Sequence, residues 1–288
     1  MKIEIAKTAG FCFGVRRAVD TVRDQCGKGN RVFTYGPVVH NEIVVNELKG
    51  LGAEVISDEE GLSVLKPGDR VVIRAHGVPE KLIRNIRATG AEVVDATCPF
   101  VSRIHEIVME ESGAGREVLV AGRKEHPEVT GIVGWCPGRC TVIADREEAL
   151  EYMALNPENK SFPRTIVAQT TYNYEKFQDL VELFEKRGYN VKAVNTICGA
   201  TRERQTEAGS LAERVQAMIV IGGRNSSNSA RLYEICRDRC ERTFFINSAS
   251  ELDPAALRGA EHIGITAGAS TPKQIIEEVT GNVRRTDI

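Results

Sequence analysis

The chain has 288 residues, of which 42% are hydrophobic and 27% charged, with a formal net charge of −2 at pH 7. This length allows two or three domains that each bury a core. Because 38 Lys and Arg balance 40 Asp and Glu, we expect no nucleic-acid partner. No apolar run approaches the ~18–20 residues that span a bilayer, and the first residues lack the pattern of a secretory signal. We therefore expect a cytoplasmic protein with no membrane partner.

The predicted elements recur three times along the chain. The alternating residues 1–6 predict a strand before the first cysteine of the pattern. An apolar run, typical of a strand, then ends at a glycine 24 positions after a cysteine in three places: Cys12 to Gly36, Cys98 to Gly122 and Cys198 to Gly222. Each glycine precedes a helical pattern, and a second strand follows, with polar residues at its end near 76, 170 and 270. Three related repeats are the simplest interpretation.

Strands that alternate with helical patterns predict an α/β fold with mainly parallel sheets. We expect three small docked units around a pseudo-threefold axis, in a cloverleaf-like arrangement with a central site. The expected boundaries are 12–97 for the first unit (1–11 being a strand that leads to Cys12), 98–197 for the second and 198–280 for the third. Residues 281–288 are expected to form a C-terminal tail. Ligands of such sheets bind beyond the carboxyl ends of the strands, where the matched polar residues fall.

One cysteine from each repeat lies just beyond a predicted strand. If Cys12, Cys98 and Cys198 converge, their thiolates are suited to a metal ion or an iron–sulfur cluster, and three ligands leave a coordination position open. The alternative is three buried thiols that recur only because the repeats do.

Five further cysteines do not fit the threefold pattern. Cys136 and Cys140 match Cys236 and Cys240, and their C-x3-C spacing fits a four-cysteine zinc site. The first repeat has Gly50 and Glu54 there instead, so we favour buried structural thiols. Cys26, on a helical pattern, is expected to be an ordinary buried or half-buried thiol.

The predicted polar edge suits an anion. Helices that begin after Gly36, Gly122 and Gly222 offer free N–H groups to a phosphate, and the string GGRNSSNS at 222–229 adds hydroxyl and amide donors. Ser and Asn in this string are also expected as helix N-caps. Further donors are the histidines at 40, 76 and 126, whereas His105 and His262 are expected to be structural.

Glu42 and Glu128 occupy the same position of two repeats, in the strings HNE and HPE. Either carboxyl can act as a general acid if burial raises its pKa, or can simply stabilise the first turn of a helix. Spacing alone does not choose between them. Thr170 and Thr171 supply hydroxyls that can pass on a proton or bind a substrate hydroxyl.

Together, the strings AGFCFGVRRAV, RAHGVP, DATCPFV, GRKEHPEV, AQTTYN, TICGATRERQ, NSSNSARL and GASTP closely resemble the 4-hydroxy-3-methylbut-2-enyl diphosphate reductase family. The resemblance runs from about residue 3 to 280. It implies an oxidoreductase of isoprenoid biosynthesis, acting last in the methylerythritol phosphate pathway. The implied reaction is a reductive dehydration of that allylic diphosphate to isopentenyl and dimethylallyl diphosphate.

The resemblance also implies a role for each matched residue. Cys12, Cys98 and Cys198 would hold one [4Fe–4S] cluster per chain with an open iron site, Glu128 would be the proton donor, and Thr170 would orient the substrate hydroxyl. The diphosphate would be held by His40, His76, His126, Ser226, Ser227, Asn228 and Ser270. Reduced ferredoxin or flavodoxin is the expected electron donor, because the chain has no GxGxxG fingerprint of a bound dinucleotide.

Two other functions use the same residues. One is a phosphate-binding module with a structural metal and no redox chemistry, and the other is a zinc-dependent hydrolase. Metal content and colour separate these functions. A cluster protein is brown and contains iron and sulfide, whereas a zinc protein is colourless.

Overall fold

A computed structural model describes residues 1–39, 41–224 and 226–285 of the chain. The strands are β1 (Lys2–Ile5), β2 (Val32–Tyr35), β3 (Ala53–Ile56), β4 (Arg70–Ile73), β5 (Glu92–Asp95), β6 (Glu117–Ala121), β7 (Cys140–Ile143), β8 (Arg164–Ala168), β9 (Val191–Ala193), β10 (Ala217–Ile221), β11 (Thr243–Ile246) and β12 (His262–Ala267). The α-helices are α1 (Phe13–Cys26), α2 (Glu42–Gly50), α3 (Glu80–Ala88), α4 (Pro99–Gly113), α5 (Pro127–Gly134), α6 (Arg146–Leu155), α7 (Tyr174–Lys186), α8 (Gly199–Ala212), α9 (Ser227–Arg237) and α10 (Lys273–Arg285).

The described strands form three four-stranded sheets with one topology. Their orders are β3-β2-β4-β5, β7-β6-β8-β9 and β11-β10-β12-β1, and all neighbouring strands are parallel. The N-terminal strand completes the third sheet, where Lys2 pairs with His262 and Ile5 with Ile265. This architecture confirms the expected α/β fold of three repeated units with parallel sheets.

The central strands are buried on both faces. Every residue of β6, β8 and β10 is buried, which is why these segments have nearly continuous apolar runs instead of alternating ones. The helices supply the covering layer, as α7 does with Phe177, Leu180 and Phe184 on one face. Asn173 caps this helix by accepting the Lys176 N–H at 2.8 Å. Buried strands of this kind hold the loops at their carboxyl ends in place.

The chain divides into two compact units. Unit 1 comprises Met1–Arg16, Val39–Gly50 and Gly199–Ile288 and contains the third sheet, whereas unit 2 comprises Arg17–Val38 and Leu51–Cys198 and contains the other two. Helix α10 continues to Arg285, five residues beyond the boundary expected at 280. No helix in the described part of the chain is both long and apolar enough to cross a membrane.

Candidate active site

The three matched cysteines occupy equivalent places in the fold. Each directly precedes a helix (α1, α4 or α8) and is anchored through its backbone to the end of a central strand. The N–H groups donate as follows: Cys12 to Ala269 O at 3.3 Å, Cys98 to Ala75 O at 3.0 Å and Cys198 to Thr170 O at 3.1 Å. One cysteine is therefore anchored just beyond the carboxyl end of each of the strands β12, β4 and β8.

Buried or half-buried side chains brace the loops that lead to these cysteines. In unit 2, Arg17 donates to Thr97 O at 2.8 Å and to Asp95 O at 3.2 Å, directly before Cys98. In unit 1, Arg204 of α8 is buried and donates to Thr8 O and Gly10 O, directly before Cys12. The sequence analysis missed these arginines as supports of the candidate ligand loops, because their partners lie about 80 and 195 residues away along the chain.

The donor chemistry of the three cysteines fits an iron–sulfur cluster. All three are reduced and half-buried, and each stands directly before the N-terminus of a helix. Thiolate is the ligand that such clusters prefer. Within residues 1–39, 41–224 and 226–285, no three His, Cys, Asp or Glu side chains form a ready-made metal site. The fit therefore rests on the type of donor and on the repeated position.

Unit 2 contains a buried carboxyl group bound by a threonine. Glu128, in the first turn of α5, is only 1% exposed. Thr170, just beyond β8, donates its N–H to Glu128 Oε1 at 2.6 Å and its hydroxyl to Oε2 at 2.7 Å. Burial raises the pKa of Glu128 to about 7, although both hydrogen bonds from Thr170 lower it. A carboxyl with this pKa can hold a proton at neutral pH and release it.

His126 is placed beside this carboxyl as the N-cap of α5. Its Nδ1 accepts the Glu128 N–H at 3.1 Å, so a neutral ring carries its proton on Nε2. The rings of His76 and His126 lie edge to face, with centroids 5.6 Å apart. Two of the predicted anion donors are therefore neighbours in unit 2.

Small residues let α5 approach the loop that carries His76. A Cβ on Gly134 would lie 2.4 Å from Pro79 Cβ, and a Cβ on Gly131 would lie 3.5 Å from His76 O. Trp135 then donates its indole N–H to Val78 O at 2.8 Å. His105 stacks on Trp135 and its buried ring has a pKa lowered to about 4, which agrees with its expected structural role.

Unit 1 contains a cluster of polar groups at the start of α9. Ser226 is the N-cap and accepts the Ser229 N–H at 3.3 Å, and Ser227 begins the helix. Asn228 is 4% exposed, and neither of its amide atoms has a hydrogen-bond partner among the described residues. The buried Ser270 Oγ likewise lacks one there. Buried polar atoms without partners are costly, so these groups are suited to a ligand or water that supplies the missing hydrogen bonds.

Glycines bring α9 onto the strand ends of unit 1. A Cβ on Gly222 or Gly268 would lie within 2.2 Å of Ser229 Oγ, so neither position tolerates a side chain. A Cβ on Gly268 would also lie 3.6 Å from Asn228 Nδ2. Asn228 is thus held beside the end of β12, from which the chain leads to Ser270. The sequence analysis did not single out Ser229, although this residue is part of the string GGRNSSNS. Its side chain packs against Gly222 and Gly268.

The predicted site residues thus fall into two groups. Unit 2 brings together His76, His126, Glu128 and Thr170 with the backbones of Cys98 and Cys198, whereas unit 1 holds Cys12, Ser226, Ser227, Asn228 and Ser270. Thr171 accepts a hydrogen bond from Gln169 Nε2 at 2.9 Å. Glu42 is exposed at the start of α2, unlike its repeat partner Glu128. His40 lies outside the described residues.

Comparisons with known proteins place the chain in one family. Residues 3–284 match the family model described as LytB protein. The chain is 41% identical to a 4-hydroxy-3-methylbut-2-enyl diphosphate reductase of Thermoanaerobacter sp. (strain X514), covering 99% of this chain and 97% of the relative. It is 43% identical to the reductase of the same name from Geobacter sulfurreducens, covering 100% and 98% of the two chains.

Two solved structures are also similar. One is described as (E)-4-hydroxy-3-methyl-but-2-enyl diphosphate reductase, the terminal enzyme of the non-mevalonate pathway, with 41% identity, 99% coverage of both chains and a TM-score of 0.72. The other is the E-1-hydroxy-2-methyl-but-2-enyl-4-diphosphate reductase from Plasmodium falciparum, with 25% identity, coverage of 97% and 87%, and a TM-score of 0.89.

Proposed function

The chain belongs to the LytB protein family, and on this premise we propose that it reduces 4-hydroxy-3-methylbut-2-enyl diphosphate to isopentenyl and dimethylallyl diphosphate. The reaction takes two electrons and two protons and releases the allylic hydroxyl as water. The structural observation that carries the proposal is the Glu128 carboxyl, buried and bound by Thr170, with a pKa raised to about 7. A leaving hydroxyl needs such an acid.

We propose that Cys12, Cys98 and Cys198 hold one [4Fe–4S] cluster per chain. Support comes from their equivalent anchoring at β12, β4 and β8 and from the preference of such clusters for thiolate ligands. When bound, a cluster with three protein ligands supplies electrons one at a time and an open iron position that acts as a Lewis acid. Reduced ferredoxin or flavodoxin in the cytoplasm is the proposed electron source.

Glu128 and Thr170 would handle the first proton. In the protonated acid, Glu128 Oε2–H can donate to Thr170 Oγ1, which frees the threonine hydroxyl to donate onward to the substrate's hydroxyl oxygen. Loss of that proton leaves a carboxylate that the Thr170 N–H still stabilises at 2.6 Å. The burial of Glu128 keeps bulk water away from the carboxyl and so favours the protonated state before the reaction.

The remaining polar residues would hold the diphosphate. In unit 2, His76 and His126 would donate from their rings. In unit 1, the amide of Asn228 and the hydroxyl of Ser270 are buried donors that have no partner among residues 1–39, 41–224 and 226–285. Ser226 and Ser227 would add donors at the N-terminus of α9. His40 completes the proposed set by its position in the repeat. Charge-assisted hydrogen bonds of this kind fix a diphosphate firmly.

Anaerobic turnover tests this proposal. Protein purified without oxygen and supplied with a strong chemical reductant is expected to convert the allylic diphosphate to both five-carbon products. Release of inorganic phosphate by a colourless zinc protein would instead support the hydrolase. Binding of the diphosphate without any conversion, in protein loaded with iron and sulfide, would support the binding module.

A further inference from the structure

The segment Trp135-Cys136-Pro137-Gly138-Arg139-Cys140 carries two thiols that the proposed function does not use. It connects α5 to β7, and Cys140 is the first residue of that edge strand. The sequence analysis favoured burial for both thiols, but the structure contradicts this, since both are half-buried and residues 137–139 between them are exposed. Burial is incomplete here because residues 137–139 are exposed to solvent next to the edge strand β7.

The two thiols are neighbours. Cys136 Sγ lies 3.9 Å from Arg139 O, in the peptide that leads into Cys140, and the Cys140 thiol, the Ser112 hydroxyl and the Gly138 N–H also lie near it. Gly138 N donates to Ser112 Oγ at 2.9 Å, and a Cβ on Gly138 would lie 2.5 Å from that oxygen. Glycine at 138 therefore lets the loop close tightly on α4.

This environment separates the roles of the two thiols. The hydrogen bond from Cys140, with those from Ser112 and Gly138, lowers the pKa of Cys136 to about 6 against the opposing effect of burial. The pKa of Cys140 is raised by its bond to Cys136, by burial and by the nearby Glu117 carboxylate on β6. A half-buried, partly accessible thiolate beside a protonated resolving thiol is the arrangement of a dithiol that exchanges with disulfides.

The matched pair in unit 1 behaves differently. Cys236 is 0% exposed and Cys240 is buried as well. Their thiols donate to separate backbone carbonyls, Cys236 to Ala208 O at 3.7 Å and Cys240 to Val215 O at 3.8 Å. Burial raises the pKa of Cys236 to about 12. The same C-x3-C spacing thus gives two inert structural thiols, as expected from the sequence, and provides an internal control.

We propose that Cys136 and Cys140 form a reversible intramolecular disulfide, so that the α5–β7 connection is a thiol–disulfide site. The oxidant is a small disulfide such as glutathione disulfide. Cys136 thiolate attacks one of its sulfurs, forming a mixed disulfide and releasing one glutathione thiolate. Cys140 then loses its proton and displaces the second glutathione. Two protein thiols are oxidised by two electrons, and the oxidant is reduced to two thiols that take up the two protons.

A metal site is a weaker explanation of the same residues. Zinc held by protein needs three or four ligands. In the described part of the chain, no third His, Cys, Asp or Glu side chain joins Cys136 and Cys140 to complete such a group. The pair therefore has the composition of an exchanging dithiol and not that of a closed zinc site.

Peptide mapping of the anaerobic holoprotein tests the proposal. The protein is equilibrated with glutathione buffers of graded oxidation, trapped by alkylation and digested. Oxidising buffer is expected to convert the peptides of Cys136 and Cys140 to one disulfide-linked species without glutathione, reversed by excess dithiol. The proposal is overturned if both remain alkylatable thiols, if each retains its own glutathione, or if either pairs with a third cysteine.

Two variants and one optical signal sharpen the test. Cys140→Ser is expected to trap one glutathione on Cys136, whereas Cys236→Ser should oxidise like the wild type. Trp135 is the single tryptophan and adjoins Cys136, so its fluorescence should change in step with the peptide map. Absence of glutathione on Cys136 in Cys140→Ser would contradict the exchange mechanism. If a variant does not fold, the wild-type map decides alone.

Discussion

Thr170 binds both oxygens of the Glu128 carboxyl, with its N–H at 2.6 Å from Oε1 and its hydroxyl at 2.7 Å from Oε2. The two residues are 42 positions apart and meet because α5 and the end of β8 lie at the same edge of one sheet. The same Thr170 accepts the Cys198 N–H through its carbonyl. The proposed acid and one proposed cluster ligand are thus fixed by a single residue.

Glu128→Gln should greatly slow turnover while leaving the fold intact, because an amide of the same shape has no carboxyl proton to give. Loss of a general acid costs about 10²–10⁴-fold, or roughly 3–5 kcal/mol in the barrier. Turnover is measured under a strong chemical reductant, so that docking of an electron-transfer partner does not limit the rate.

Glu42→Gln is the matched control, since Glu42 holds the same position of another repeat but is exposed. It should keep the chemical step largely unchanged. A crippled Glu42→Gln enzyme beside a near-normal Glu128→Gln enzyme would show that the wrong carboxyl had been chosen.

Thr170→Val should raise the pKa of Glu128 still further above about 7, because it removes a hydroxyl donor that favours the ionised carboxylate. The maximal rate should fall, and the alkaline limb of the pH–rate profile should move to higher pH. Thr170→Ser keeps the hydroxyl and should retain the wild-type limb. If the alkaline limb has the same pKa in the valine variant and the wild type, the group that titrates there is not Glu128.

Glu128 should also make folding stability depend on pH. Its pKa rises from 4.5 to about 7 on folding, so the folded state binds the proton more tightly than the unfolded one. The contribution is fully present below pH ~4.5 and is lost as pH rises through about 7, by about 3 kcal/mol in all. The free energy of unfolding of the wild type, relative to Glu128→Gln, should therefore fall between pH 5 and pH 8. A constant difference across this range would contradict the raised pKa.

Ser270→Ala and Asn228→Ala should weaken substrate binding, because they remove buried donors that have no partner in the described part of the protein. Without ligand, Ser270→Ala should leave the free energy of unfolding unchanged or raise it by up to about 1 kcal/mol, since an unsatisfied hydroxyl is removed. Calorimetric titration and denaturant unfolding measure the two effects. Unchanged substrate affinity in both variants would contradict the proposal that these residues bind the diphosphate.

Ser226→Ala is a less specific probe of the same site. Its hydroxyl accepts the Ser229 N–H as the N-cap of α9, so its loss should weaken substrate binding and also cost about 1 kcal/mol of stability. Comparison with Ser270→Ala separates loss of a ligand contact from loss of a helix cap. Equal stability of the Ser226→Ala variant and the wild type would show that the cap contributes nothing.

Cys12→Ser, Cys98→Ser and Cys198→Ser should each lose the cluster, because a hard hydroxyl replaces a soft thiolate. Cys236→Ser and Cys136→Ser should retain it, and the former controls for loss of a buried thiol. Iron content and visible absorption measure the outcome. Full iron loading in any of the first three variants would overturn the ligand assignment.

The sequence predicted the fold class and the three parallel sheets because strand and helix patterns are local. It did not predict that residues 2–5 complete the third sheet, since β1 pairs with β12 about 260 residues away. Spacing left Glu42 and Glu128 equivalent, and the family resemblance pointed to Glu128. The physical difference between the two carboxyls is tertiary burial, which the local sequence does not contain. The same reason explains Cys136 and Cys236, whose identical spacing gives a half-buried dithiol in one unit and a buried pair in the other.

Analysis of iron and acid-labile sulfide in the anaerobically purified wild-type protein tests the central claim most directly. A brown protein with about four iron atoms and about four sulfide ions per chain is the predicted result for a [4Fe–4S] cluster. A colourless protein that contains zinc, or one without iron and sulfide that still converts the allylic diphosphate, would contradict the account.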